Sequence, residues 1–297
     1  MVYTGWIRDR GLTLRMILTM FLLALIYLGF ITFLYTLGFP ITFIMIIAGI
    51  LLFIQYYFSD KIVLMSMGAK IVDEHEAPEL HAMVRRLCMR ANLPMPKIAI
   101  VDTPIPNAFA TGRNPKNAVV AVTTGLLRTL NKDELEAVLG HELSHIKNKD
   151  VMVLTIGNFL ATVVWFVMEH IMWWSILGEE ENRNPAIGAV LFVIAAIVWL
   201  ICTLLVLALS RYREFAADAG SAILTGKPHA LISALAKISG RMDLIDPSYK
   251  KQVEGLNAFF IVPAISGETI MSLFSTHPPV EKRIERLRKI AREMGIY

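Results

Sequence analysis

The sequence predicts a mainly α-helical, polytopic membrane protein, with four transmembrane helices in two hairpins and a discontinuous cytosolic α+β domain that carries a small β-sheet. Composition is the first observation behind this prediction. Hydrophobic residues fill 55% of the 297 positions, and charged residues fill 18%, where about 25% is usual for a soluble domain. The second observation is that apolar residues gather into long segments, close to the ~20 residues that cross a bilayer as a helix. An ordinary soluble enzyme and a disordered chain are both disfavoured.

The apolar segments are expected to form two membrane hairpins. Residues 16–37 and 41–58 are separated only by Gly38-Phe39-Pro40, and residues 151–177 and 186–209 are separated by a short acidic loop. Lysine and arginine cluster at the segment ends that would lie on the same side of the membrane. The positive-inside rule places that side in the cytoplasm. We therefore expect a multi-pass protein of the cell membrane, with both termini in the cytoplasm.

The remaining polar stretches are predicted to form one cytosolic domain in two parts. Residues 59–150 supply the first part and residues 210–297 the second, so the domain follows the first hairpin at 1–58 and is interrupted by the second at 151–209. Turn residues and a good helix cap divide the first part. Its predicted elements are a helix from Pro78, strands at 97–102, 107–111 and 117–123, and a helix capped by Asn131 with Glu134. The second part is predicted to be mostly helical.

Charge and cysteine content limit the partners. The net charge of +4 does not predict a nucleic-acid partner, because the basic residues lie beside apolar segments and at the C-terminus. The basic helix predicted from Pro279 fits either anionic lipid or water equally well. Cys88 falls in a polar stretch and Cys202 in an apolar one, so we expect no disulfide between them.

The pattern that carries chemistry is His141-Glu142-Leu143-Ser144-His145. Histidines at positions i and i+4 of a helix lie about 40° apart around its axis, so both imidazoles can reach one metal ion. Glu142 lies beside them and can take a proton from a water that the metal activates. The polar turn before this helix favours a water-accessible zinc site over a chance occurrence of the pattern on a surface helix.

A catalytic zinc ion takes three protein ligands, so a third must come from elsewhere in the chain. Glu214 and Asp218 are candidates because they share a helical face at i and i+4. One of them can bind the metal while the other accepts a hydrogen bond from a ligand histidine. The alternative is that both are solvated charges, and other carboxylates remain available as ligands.

The order of these motifs resembles that of the HtpX-type membrane zinc metalloproteases, gluzincins related to the zinc CAAX prenyl protease. The resemblance covers nearly the whole chain. Its motifs, besides the two apolar hairpins, are Pro106-Asn107-Ala108-Phe109-Ala110-Thr111-Gly112, the His-Glu-x-x-His helix, Arg213-Glu214-Phe215-x-Ala217-Asp218 and His277-Pro278-Pro279. It implies a gluzincin-like domain with one Zn²⁺ ion, bound by His141, His145 and Glu214, and with Glu142 as the general base.

The resemblance also implies roles for three further residues. The segment that begins at Asn107 corresponds to an edge strand beside the zinc, which would bind an extended substrate through its backbone. A purely structural hairpin is the alternative. His277 would point at the site and stabilise the oxyanion, and Arg283 is a weaker candidate for the same region. A helix-start or solvent-facing position is the alternative for this pair.

Taken together, the sequence predicts a membrane-bound zinc endopeptidase that cleaves protein or peptide substrates at the cytosolic face of the lipid bilayer. The resemblance further implies quality control of misfolded membrane proteins. Two alternatives stay open, namely an intramembrane protease of the site-2 type and a non-catalytic membrane chaperone that holds zinc. If the two ligand helices continue directly into the third and fourth spans, the zinc would lie just below the inner membrane surface.

Overall fold

The computed structural model describes residues 10–36, 41–177, 185–243 and 277–296. Four strands and nine α-helices are described in these ranges. The helices are α1 (Arg10–Thr36), α2 (Ile41–Ser66), α3 (Pro78–Ala91), α4 (Thr124–Thr129), α5 (Lys132–Asn148), α6 (Asp150–Leu177), α7 (Pro185–Thr225), α8 (Pro228–Asp243) and α9 (Val280–Glu293). The strands are β1 (Lys70–Val72), β2 (Lys97–Val101), β3 (Ala108–Thr111) and β4 (Val119–Thr123).

Helices α1, α2, α6 and α7 form where the apolar segments predict them. Within the described residues, Gly11–Thr36 and Gly188–Thr225 are long and apolar enough to cross a membrane. Large apolar side chains face outward on both, for example Phe21 and Val190, and a soluble fold would bury such a surface. Helix α7 packs against α1 and α6, and α2 packs against α6. The four-span arrangement stays a prediction, and both predicted hairpin loops lie at least partly outside the described residues.

The sheet has the strand order β1-β2-β4-β3. Strands β3 and β4 form the predicted antiparallel hairpin, whereas β2 and β4 are parallel. The hairpin turn depends on Gly112, because its φ is 127° and a Cβ at this position would lie 2.3 Å from the Asn117 carbonyl oxygen. Strand β1 was not predicted, because three residues carry too little alternation to indicate a strand.

The two faces of the sheet pack against different parts of the chain, because successive side chains of a strand point to opposite faces. One face contacts the end of α2 through Val63, which packs among Ala99, Val101, Phe109, Val119 and Ala121. The other face belongs to the main core with α3, α5 and α8, which includes Ile98, Val120, Val122, Leu87, Leu139 and Leu235. The sheet therefore lies between an apolar helix and the helices that carry the site.

Helix α5 begins as predicted. The Asn131 side chain accepts a hydrogen bond from the backbone of Glu134, whose carboxylate in turn accepts one from the Asn131 backbone. Further along, Gly140 allows α7 to approach closely, since a Cβ there would lie 2.9 Å from the Thr225 methyl carbon. Ser221 of α7 donates to the Ala137 carbonyl at 2.5 Å. This close packing brings the two helices that carry the predicted ligands together.

The condition that both ligand helices continue directly into the apolar helices is not met by the first of them. Helix α5 ends at Asn148, and Lys149 adopts a left-handed conformation with φ of 56° before α6 begins at Asp150. A left-handed residue cannot continue a right-handed helix, so the chain changes direction there. Helix α7 meets the condition in so far as it runs unbroken from Pro185 to Thr225 and so joins an apolar segment to Glu214.

Candidate metal centre

Three side chains converge where α5 meets α7. The Nε2 atoms of His141 and His145 lie 3.1 Å apart. The Glu214 carboxylate lies 3.5 Å from the His141 Nε2 and 3.3 Å from the His145 Nε2. All three ligand atoms fall within 4.8 Å of one another, and this is the one such group among the residues that the structure describes.

The spacing of these atoms fits a small tetrahedral ion. Ligand atoms that each lie about 2.0–2.1 Å from a tetrahedral zinc are separated from one another by roughly 3.4 Å. The Nε2 atoms are 3.1 Å apart, and they lie 3.5 and 3.3 Å from Oε2 and Oε1 of Glu214, so the observed separations scatter around that value. Two imidazole nitrogens and one carboxylate also match a donor set of catalytic zinc sites. The residues therefore fit the metal that the sequence predicts.

Each histidine contacts an aspartate through its other ring nitrogen. The Nδ1 of His141 lies 3.0 Å from Asp218, and the Nδ1 of His145 lies 2.6 Å from Asp150. Burial alone would lower the pKa of His141, but Asp218 and Glu214 outweigh it and raise this pKa above the ordinary value. The pKa of His145 is raised against the same effect of burial, with Glu214 as the main cause. A metal ion competes with protons for these nitrogens, so metal binding at this site should weaken as the pH falls.

Each of these aspartates contacts an arginine. The Arg283 side chain has no exposed surface and donates two hydrogen bonds to Asp218, at 2.9 and 2.7 Å. On the other side, Arg213 donates to Asp150. The two hydrogen bonds from Arg283 fix the orientation of the Asp218 carboxylate and favour its charged form.

The remaining predicted residues also lie at or near this cluster. Glu142 is 3% exposed, and its charge acts on both His145 and Arg283. The His277 Nδ1 lies 3.0 Å from Glu214, and the Arg283 guanidinium lies 3.4 Å from the same carboxylate. Asn107 is buried directly before β3, a strand that packs against α5.

Sequence reasoning missed Asp150 and Arg213. The sequence alone assigns no role to Asp150, and it indicates Arg213 only as the first residue of the motif that contains Glu214. The available signal was an acidic residue a few positions after His145 and a basic residue directly before Glu214. Neither signal is specific, because the turn at Lys149 that brings Asp150 back to the site has no glycine to indicate it.

A His-Glu-x-x-His helix that faces a glutamate of a second helix, close to long apolar helices, defines a membrane metalloprotease. Comparison with known proteins agrees, since the profile described as Peptidase family M48 matches residues 74–291. The chain belongs to peptidase family M48 and is a metalloprotease.

Several curated relatives match over nearly the full length, among them the following two. The "Protease HtpX homolog" of Moorella thermoacetica is 56% identical over 288 residues, which cover 96% of each chain. The "Protease HtpX homolog 2" of Methanosarcina acetivorans is 53% identical over 290 residues, covering 98% of this chain and 99% of the relative. Among solved structures, the crystal structure of S. mikatae Ste24p is similar with a TM-score of 0.59 at 19% identity. That match covers 95% of this chain and 66% of the other, and it supports the fold alone.

Proposed function

We propose that this metalloprotease is a zinc endopeptidase, with His141, His145 and Glu214 as the zinc ligands and Glu142 as the general base. The observation that carries the proposal is the set of 3.1–3.5 Å separations among the three ligand side chains. Such separations suit a tetrahedral ion that keeps a fourth position for water or substrate.

The same donor set favours catalysis over a structural zinc site. Structural zinc ions are usually closed by four protein ligands, commonly with cysteines among them. Both cysteines of this chain are free and buried, at Cys88 and Cys202, and neither belongs to the ligand group. A glutamate directly beside a ligand histidine is expected for a hydrolase and has no purpose in a zinc-holding chaperone.

The bound zinc would supply a Lewis acid that polarises the scissile carbonyl and activates water for attack. Glu142 would accept the proton of the attacking water on its carboxylate and then pass it to the leaving amine. Glu142 lies one position after His141, so it can face the substrate without occupying a ligand position.

His277 and Arg283 take different parts in this proposal. We assign the His277 imidazole to the oxyanion that forms at the scissile carbonyl, because it lies against the ligand Glu214. The resemblance makes Arg283 a weaker candidate for the same region, in contact with substrate. Its fully buried guanidinium and its bidentate contact with Asp218 instead favour a role in orienting that aspartate, which in turn orients His141.

Substrate would bind in extended form along β3. This strand ends the sheet within the described part of the chain. The Asn107 carbonyl accepts a hydrogen bond from the Thr123 backbone, so antiparallel alternation directs the backbone groups of Ala108 and Ala110 toward the open edge. An open edge binds a peptide through its backbone, which gives breadth of substrate. We assign the Asn107 side chain to the same contact.

We further propose four membrane spans and a site on the cytoplasmic side, acting on misfolded membrane proteins. The support is the distribution of lysine and arginine around the apolar helices. An intramembrane protease of the site-2 type is disfavoured by the start of α5, where the side chains of Lys132 and Asp133 are 77% and 69% exposed. Charges so exposed are costly inside a bilayer.

Casein hydrolysis by the purified full chain in detergent tests the catalytic proposal. We expect activity that a chelator removes and that stoichiometric zinc restores, with His141→Ala as the zinc-free control. Activity that survives complete removal of metal would overturn the proposal. A zinc-loaded, folded chain without activity on any unfolded substrate would favour the chaperone alternative.

A further inference from the structure

We propose that Asp150 and Arg213 are positioning residues for His145, and that through them the packing of α6 on α7 sets the geometry of the metal site. The inference rests on the proposed zinc site. It assigns a role in zinc binding to two residues outside the His-Glu-x-x-His motif, and it connects the site to an apolar helix.

Both oxygens of the Asp150 carboxylate are engaged. Oδ2 lies 2.6 Å from the Nδ1 of His145, and Oδ1 accepts a hydrogen bond from Arg213 Nη2. Asp150 is 2% exposed, so this charge depends on those two partners. A carboxylate that accepts from the free nitrogen of a ligand histidine fixes the ring orientation and increases its basicity.

Arg213 joins three helices at one point. It lies on α7 directly before Glu214, and its Nη2 donates to Asp150 at the start of α6. The same nitrogen donates to the Asn148 carbonyl at the end of α5, at 2.7 Å. Arg213 is 7% exposed, so the junction of the three helices is closed from solvent.

The aspartate that contacts His141 lies on a different helix from the one that contacts His145. His141 contacts Asp218, which lies on α7 with the ligand Glu214, and Asp218 is bound by Arg283 of α9. His145 depends instead on the first residue of α6, a helix of 28 residues that packs along α7. A shift of α6 relative to α7 would move Asp150 and therefore the imidazole of His145.

The zinc dissociation constant of the folded full chain in detergent tests the positioning role, by competition with a chromophoric chelator. Asp150→Ala should weaken zinc binding about 10- to 100-fold, and Asp150→Asn should weaken it less, because the amide oxygen can still accept from His145. The cobalt-substituted protein should show an altered visible absorption spectrum in both variants.

The matched control is Glu134→Gln, which breaks another buried carboxylate contact on α5, with Lys237 at 2.7 Å. It should lower the melting temperature and leave the zinc dissociation constant unchanged. In a double-mutant cycle, adding Arg213→Met to Asp150→Ala should weaken zinc binding by less than Arg213→Met does alone, since the arginine acts through the aspartate.

Two glycines test the coupling to helix packing. A Cβ at Gly157 of α6 would lie 3.3 Å from Val206 of α7, whereas a Cβ at Gly49 of α2 would meet nothing within 4 Å. Gly157→Val should push α6 from α7 and weaken zinc binding by a few-fold. Gly49→Val, the control, should not change it.

The outcomes separate this inference from the proposed function. The first case is that the wild-type chain binds zinc and His141→Ala does not. If folded Asp150→Ala then binds zinc within about twofold of wild type, the contact between Asp150 and Arg213 is only structural and the positioning role is wrong. A folded Gly157→Val variant with wild-type zinc affinity would overturn the coupling. If the wild-type chain binds no zinc, the proposed function itself fails.

Discussion

The two ends of α5 use buried charge in opposite ways. At its start, Glu134 is surrounded by groups that satisfy it, namely the Asn131 backbone, Ser233 and Lys237. At its other end, His141 and His145 face Glu214 in a cluster with several buried carboxylates. The hydrogen bonds of Glu134 are satisfied by protein groups, and no ligand is needed there. The cluster at the other end instead places carboxylates and imidazole nitrogens around a point that suits a cation. Burial of a charged side chain therefore does not by itself indicate a metal site. A metal site is indicated where several side chains that can bind a cation converge on one point.

The largest expected effect is at the metal end. Glu214→Ala should lose both zinc and peptidase activity, because two histidines alone leave the ion with too few protein ligands. Metal analysis of the purified variant together with casein hydrolysis checks this. Full zinc occupancy in the variant would mean that another carboxylate is the third ligand.

Glu142→Ala should separate the two properties. We expect kcat to fall by about 10²–10⁴-fold, the usual contribution of a general base, while zinc remains bound. Activity and zinc content are measured on the same preparation. Hydrolysis near the wild-type rate would remove Glu142 from the mechanism.

Asp218→Asn should weaken zinc binding by about tenfold, because the amide still accepts a hydrogen bond from His141 but no longer matches the charge of Arg283. Titration with a competing chelator measures this. An unchanged zinc affinity would show that the orientation of His141 is fixed by packing alone.

The start of α5 should affect stability alone. Burial would raise the pKa of Glu134, but Lys237, the Asn131 backbone and Ser233 outweigh it and lower this pKa below the ordinary value. A lowered pKa stabilises the fold above the unfolded pKa of about 4.3, and this contribution is lost as the pH falls through the folded pKa. Glu134→Gln should therefore cost about 1–2 kcal/mol at neutral pH.

Melting temperatures between pH 3 and pH 7 check that prediction. The difference between wild type and Glu134→Gln should shrink as the solution is acidified below the unfolded pKa of about 4.3. A constant difference across this range would mean that the charge of Glu134 does not contribute. A change in zinc affinity would contradict the contrast between the two ends of α5.

The smallest expected effect lies off α5. Asn107→Ala should lower kcat/KM on unfolded protein by a few-fold while zinc stays bound, because one side-chain contact to an extended peptide is worth about 1 kcal/mol. Unchanged kcat/KM would favour the structural-hairpin interpretation of β3 and β4. Thr123→Val, which removes a hydroxyl that accepts from the Asn107 backbone, serves as a control for the shape of the strand end.

Whereas Glu214 was selected among several carboxylates only by the family resemblance, the sequence by itself determined the apolar helices, the β3–β4 hairpin, the cap of α5 and the two facing histidines. Each of these follows from local spacing: runs of apolar residues, turn residues, a cap three residues from its partner, and two histidines one helical turn apart. Such periods can be counted along the chain. They also sufficed to propose Asp218 as a partner of a ligand histidine.

Tertiary structure alone decided which groups support those ligands. Arg283 contacts Asp218 because α9 packs on α7, and Asp150 contacts His145 because the chain turns between the end of α5 and the start of α6. The left-handed conformation of Lys149 allows the chain to bring Asp150 to His145. Lysine rarely adopts this conformation, so the sequence does not predict it. Contacts between residues far apart in sequence depend on how whole helices pack, and no local period encodes that packing.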